Sequence, residues 1–397
     1  MVILRPWWWL LVAMLAAGTV RAHENHAGHA QSGRGAAASG ELGASAAFDA
    51  QGRLWAVTKS GGHVMLVRSD DAGRTWQRPV QVNPKPEGIG ADGDSRPKVA
   101  TGPGGEVYVS WTRPLSKPYT GEIRFARSLD AGRSFSPPLT VHADRQEITH
   151  RFDALAVARD GRVLVAWIDK RDQEIAKGRR MAYRGAAVYF AVSDDRGASF
   201  RADHKLADYS CECCRIALAE RPDGSMLALW RHVFEPNVRD HAIARFHLDG
   251  RVEPLRRATF DDWKIDACPH HGPSLALDRA GGLHAVWFTQ AAGREGIHYG
   301  RLVDGAVEGT RRVGGDAAEH ADLAVDADRI AIAWKEFDGT RTRLRALRSD
   351  DGGRRWREVG LSATDGPSDQ PRVLLRNGRF SVFWNTRIEP LSVVALP

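Results

Sequence analysis

Along most of the chain, short stretches of crowded or alternating apolar residues are interrupted at close intervals by turns rich in Gly, Asp and Asn. Long helical periodicity is absent, so the pattern predicts an all-β protein. One unit recurs: a short apolar stretch, a Gly-containing turn, then an alternating strand that often ends in Trp. These strands are Leu54–Thr58, Val107–Trp111, Val163–Trp167, Met226–Trp230, Leu283–Trp287, Ile330–Trp334 and Phe380–Trp384, at intervals of 47 to 63 residues. That interval is the length of a four-stranded antiparallel blade, and a repeat of about 50 residues predicts a β-propeller.

The stretch before each turn is small and β-prone, as in Ala154-Leu155-Ala156-Val157, Ile216-Ala217-Leu218-Ala219 and Ser274-Leu275-Ala276-Leu277. Such residues suit the innermost strand of a blade, where strands crowd the axis. The turns between, such as Asp160-Gly161 and Asn377-Gly378, carry residues that tolerate the positive φ of tight hairpins. Seven units predict a single seven-bladed β-propeller. Six blades are the alternative if the first and last units share one. The last unit, Pro371 to Leu396, has room for three strands. The ring must therefore take a closing strand from near the N-terminus or keep a three-stranded blade. The strand-end tryptophans read as packing between blades.

The first segment differs. Arg5, the apolar run Trp7 to Val20 and Val20-Arg21-Ala22 fit a secretory signal over residues 1–22, the run being too short for a membrane span. Residues 23–40, with His23, His26 and His29 and a Gly/Ala/Ser tract, read as a flexible tail, and 41–397 as the propeller. The expected location is periplasmic or secreted. The formal charge of +7 comes from basic residues scattered among acidic ones, which argues against a nucleic-acid partner.

Four segments fit Ser-x-Asp-x-Gly-x-x-Trp/Phe: Ser69 to Trp76, Ser128 to Phe135, Ser193 to Phe200 and Ser349 to Trp356. Each falls between the third and fourth strands of its unit. On these motifs the chain resembles the Asp-box (bacterial neuraminidase repeat) sialidase-like β-propeller superfamily. The resemblance covers nearly all of residues 41–397 as architecture. In that family the boxes are structural, on the outer rim, so they imply the fold and not the reaction.

In a propeller, the loops entering the innermost strands and leaving the second strands ring one mouth. Here they carry Cys, His, Arg and acid. The sharpest group is Cys211, Cys213 and Cys214 in the fourth unit with Cys268, His270 and His271 in the fifth, all four cysteines lying within 58 residues. Thiolate and imidazole together suit Cu or Zn, with Glu212 and Arg215 beside them. Disulfide pairing is the competing reading for an exported chain. His23, His26 and His29 form a second candidate metal-binding run, the competing reading being a solvated tail. His63, His241, His247 and His284 read as surface or satisfied residues.

The resemblance implies a different site: an Arg triad for a substrate carboxylate, an Asp acid/base and a Tyr nucleophile. Arg96, Arg151, Arg215 and Arg387 are the matching arginines, and Asp94 or Asp153 the acid. The family places its Tyr late in the chain, and nothing after Tyr299 is a tyrosine, which leaves Tyr209 and Tyr299 as substitutes. The expected functions are thus a metal-binding propeller, a sialidase-type exo-glycosidase acting on an acidic glycan, or a scaffold that binds a glycan or protein without catalysis.

Overall fold

The structure, a computed structural model, describes residues 41–397. It contains seven antiparallel sheets, six of four strands and one of three, in which sequential strands are hydrogen-bonded neighbours. The innermost strands are Ser45–Phe48, Lys98–Thr101, His150–Val157, Ala217–Glu220, Ser274–Leu277, Ala318–Asp326 and Arg372–Arg376. They neighbour one another in that order, and the last meets the first, so the ring closes. The fold is a seven-bladed β-propeller, not a six-bladed one. The segments expected to be a signal and a tail, with His23, His26 and His29, lie outside the described residues.

Each blade is sandwiched between two others, so its middle strands are covered on both faces. Every residue of Val163–Asp169 and Ala186–Ser193 is buried. This is why the strands read as nearly continuous apolar runs rather than strict alternation. The core is divided among the seams. Trp111 clusters with Trp55, Val57 and Val64 of blade 1, Trp167 with Tyr108 and Phe125 of blade 2, and Trp230 with Phe190 and Val192 of blade 3. Leu229 with Leu275, Trp334 with Val286 and Trp384 with Ala333 continue the series around the ring. Leu54 and Ala56 of blade 1 meet Leu374 and Phe383 of blade 7.

No strand from the described N-terminal residues joins blade 7, which stays three-stranded, Arg372–Arg376, Arg379–Trp384 and Ser392–Ala395. Closure rests instead on Asp369. Its carboxylate accepts the Gly43 and Ala44 N–H groups at 2.9 Å and the Asn385 amide at 2.7 Å.

The four Ser-x-Asp-x-Gly hairpins share one hydrogen-bond pattern. In the first, Ser69 Oγ donates to Asp71 Oδ1 at 2.7 Å and accepts Gly73 N–H at 2.7 Å, while Thr75 N–H donates to Asp71 Oδ1 at 2.9 Å. Ser128-Asp130-Gly132-Ser134, Ser193-Asp195-Gly197-Ser199 and Ser349-Asp351-Gly353-Arg355 repeat it.

Two features of the mouth differ from expectation. Residues read as loops, His150 to Asp153 and Glu319-His320, belong to innermost strands that run on to the mouth. Both strands shift register there, and Phe152 and His320 each have φ of +55°. Such bulges re-aim side chains at a strand end. The loop leaving the second strand of blade 3 folds into a helix, Arg171–Gly178.

Candidate functional site

Cys211 to Arg215 connect the outer strand of blade 3, His204–Ser210, to the innermost strand of blade 4. Cys268 to Pro273 lead into the innermost strand of blade 5. The two Cys-bearing loops therefore stand side by side, as the repeat predicts. Cys211, Cys213 and Cys214 are buried, at 0%, 5% and 2% exposure, and Cys268 is exposed. The three buried sulfurs form a triangle: 3.6 Å from Cys211 to Cys214, 3.9 Å from Cys211 to Cys213 and 4.0 Å from Cys213 to Cys214. Cys268 lies outside that triangle. None of the four is disulfide-bonded.

The triangle has a cationic wall. Arg239 Nη1 donates to Cys211 Sγ at 3.6 Å. Cys211 N–H donates to the Arg231 carbonyl at 2.9 Å. The Arg231 guanidinium, itself buried, donates to the carbonyls of Arg239, His271 and Phe288. Neither arginine forms an ion pair with a carboxylate among the described residues. Thiol hydrogen bonds from Cys213, Cys214 and Cys268, and then the Arg231 charge, hold Cys211 well below the ordinary thiol range. Donating to Cys211 pushes Cys213 and Cys214 up, and Cys268 up to about 11. Within the cluster the surroundings favour the thiolate form at Cys211 over its neighbours.

The histidines do not join the sulfurs as one six-ligand centre. His270 is exposed, with its ring 6.5 Å from that of Phe152. His271 stacks between Phe288 and His320, at 4.0 and 4.2 Å between centroids. With Glu319 and His320 it forms a separate group of potential ligands. Burial, and then the Arg231 charge, lowers His271 to about 3, and burial also drives His320 well down. Glu319 and His320 share the mouth position of blade 6, but Lys335 Nζ stands 3.3 Å from Glu319 and opposes a cation there. Glu212 turns across to Lys170 at 2.5 Å. His241 is fully buried, yet its Nε2 has no hydrogen-bond partner, so it is not the satisfied residue expected. The Cys211 thiolate lies close enough to His241 to act on its charge.

At the axis is a cavity of about 200 Å³ lined by Asp94, Arg96, Lys98, Asp153, Arg215 and Arg372, among innermost-strand residues. Arg96 is 3% exposed and donates to Gln370 O at 3.2 Å and Oε1 at 3.3 Å. Burial lowers both Arg96 and Lys98. Lys98 Nζ lies 3.6 Å from Asp153, whose other oxygen accepts Ser110 Oγ at 2.6 Å. Arg215 stands 3.5 Å from Asp94, and Arg372 3.4 Å from Asp322. Arg96, Arg215, Asp94 and Asp153 are thus brought together. Arg151 is not a cavity residue; it pairs with Asp92 at 3.0 Å. Arg387 is exposed and also lies off the cavity.

The proposed tyrosine substitutes are misplaced. The Tyr209 ring lies under Arg184, and Tyr299 accepts or donates a 2.7 Å hydrogen bond with His284, outside the cavity lining. Lys98 and Arg372 were missed by sequence reasoning. Their signal is a basic residue directly after Pro at the head of an innermost strand, Pro97-Lys98 and Pro371-Arg372.

No family model matches the sequence, and no curated protein does. Solved structures share the architecture. The Hadza microbial sialidase Hz136 superposes with a TM-score of 0.51 at 13% identity, over 85% of this chain and 74% of that one. An alpha-L-arabinofuranosidase from Fusarium graminearum gives 0.53 at 14%, over 78% and 92%. A PL25 ulvan lyase gives 0.53 at 11%, over 88% and 90%. The fold is that of the sialidase-like propellers. At these identities the likeness speaks for the fold alone.

Proposed function

We propose that this propeller binds one soft or borderline metal ion, Cu(I) or Zn, at the Cys211-Cys213-Cys214 triangle. The observation that carries this reading is the triangle itself, with sides of 3.6, 3.9 and 4.0 Å. Sulfurs each about 2.3 Å from one ion stand about 3.8 Å apart around a tetrahedral centre and about 4.0 Å apart around a trigonal one. The second support is charge. Buried arginines ordinarily pair with acids; here Arg239 instead faces the Cys211 sulfur, and Arg231 beside it meets only backbone carbonyls. Thiolates are the available counter-charge, and bound metal would keep them ionised. In the periplasmic or secreted setting proposed for the chain, a bound ion would also hold the thiols from oxidation. Anaerobic titration of reduced protein tests this. One equivalent held per chain, and lost in Cys211→Ser or Cys214→Ser, is the expected result. Wild-type protein that yields every equivalent to a weak chelator overturns it.

A second reading is favoured by the axial cavity. Arg96, Arg215, Arg372 and Lys98 converge there with only partial carboxylate compensation, which suits a carboxylate-bearing sugar. With no tyrosine in the lining, this reading is binding of an acidic glycan rather than sialidase-type hydrolysis. Calorimetry with sialate- and glucuronate-ended oligosaccharides tests it. Binding abolished by Arg96→Ala supports the reading, and no heat at millimolar ligand refutes it.

A further inference from the structure

The four cysteines differ in access. Three sulfurs are buried in one triangle, while Cys268, on the neighbouring loop, lies outside it and reaches solvent. Cys268 also lines a cleft of about 460 Å³ with Glu212, Pro236, Asn237, Arg239 and Asp266. Arg239 joins the two spaces, because it lines the cleft and donates to Cys211 at 3.6 Å. Cys268 and Arg239 thus share one wall of the cleft, and behind that wall the Arg239 guanidinium meets the Cys211 sulfur.

Charge and coordination number choose the ion. Structural zinc takes four ligands almost always, and three buried sulfurs supply three. Three thiolates on Cu(I) carry two negative charges, and two carboxylate-free guanidiniums are near: Arg239 donates to Cys211, and Arg231 donates to the Arg239 carbonyl behind it. Three thiolates on Zn would carry one. With Cys268 outside the group, the buried set offers three donors, a number that suits Cu(I), a soft ion that thiolates select.

We infer that Cys268 is the exchange ligand by which Cu(I) passes between an external thiol carrier and the Cys211-Cys213-Cys214 triangle. This rests on the reading of the triangle as a metal centre. The steps balance without redox chemistry. The Cys268 sulfur bonds the ion and releases its proton, and the carrier's thiolate leaves and takes up a proton. The ion then passes to Cys211, Cys213 and Cys214, each binding as thiolate; of the protons they release, one returns to the departing Cys268 and the rest go to solvent. Copper stays Cu(I) throughout.

The test uses full-length reduced protein, Cu(I)–glutathione as donor and a chromophoric Cu(I) chelator as competitor. Cys268→Ser should keep wild-type affinity and a three-sulfur X-ray absorption signature, while its uptake from Cu(I)–glutathione slows by about tenfold or more, as exchange depends on thiol access. Cys214→Ser should lose about 100-fold or more in affinity. If Cys268→Ser loses affinity as Cys214→Ser does, Cys268 is a resident fourth ligand and the inference fails. If Cys268→Ser loads as fast as wild type, Cys268 is a bystander and the inference fails equally. Failure of the wild-type protein to hold Cu(I) removes the metal reading itself, a result distinct from both.

Discussion

Cys214 donates its thiol hydrogen to the sulfur of Cys211 across 3.6 Å, and Arg239 reaches the same sulfur from the other side at the same distance. Both contacts favour negative charge on the Cys211 sulfur, which is fully buried. Removing the cation should undo that. Arg239→Met should move the first thiolate titration upward, since a nearby positive charge favours the ionised thiol. Ultraviolet thiolate absorbance against pH measures this, and an unchanged midpoint would show that Arg239 does not act on Cys211.

Ring closure depends on Asp369, which holds Gly43, Ala44 and Asn385 together. Asp369→Ala leaves those buried donors without an acceptor, at about 1–3 kcal/mol for each. A large fall in thermal midpoint is expected, against little change for Asp365→Ala, an exposed residue after the outer strand of blade 6 that pairs with the surface Arg341. Equal midpoints for the two variants would mean that closure lies elsewhere.

The hairpin glycines separate two causes of strain. Gly132 has φ of +76°, and an added Cβ would stand 2.6 Å from Trp55 Cζ3. Gly224 has φ of +78° with nothing within 4 Å of that position. Gly224→Ala should cost about 1 kcal/mol, from the left-handed backbone alone. Gly132→Ala should cost several times more, because the Trp55 ring is packed in the seam between blades 1 and 2. Chemical denaturation compares the two, and equal losses would show that the ring yields freely.

Acid should destabilise the protein early. Burial lowers His142 to about 2, His271 to about 3 and His232 to about 4, so each stays neutral in the fold. In the unfolded chain they take up protons near the usual value of about 6.5. Their stabilising share is complete above that value and is lost as pH falls from there towards the folded values, at about 1.4 kcal/mol per pH unit for each proton. Thermal midpoints should be level above pH 7 and decline from about pH 6.5 downward. A level midpoint down to pH 5 would contradict this.

The sequence by itself determined the blades. Their apolar runs, turn residues and Trp-ended strands recur because every blade solves the same local problem, burying both faces between neighbours. It also determined that the Cys211 and Cys268 loops are adjacent, since both occupy the same position in consecutive units. Side-chain direction was beyond it. Whether His271 faces the sulfurs or stacks on His320, and whether Arg151 enters the axis or pairs with Asp92, depends on bulges and on partners far away in sequence. Tertiary structure alone decided that three cysteines converge while the fourth stays outside, because repeat position fixes where a loop begins and packing fixes where its side chains end.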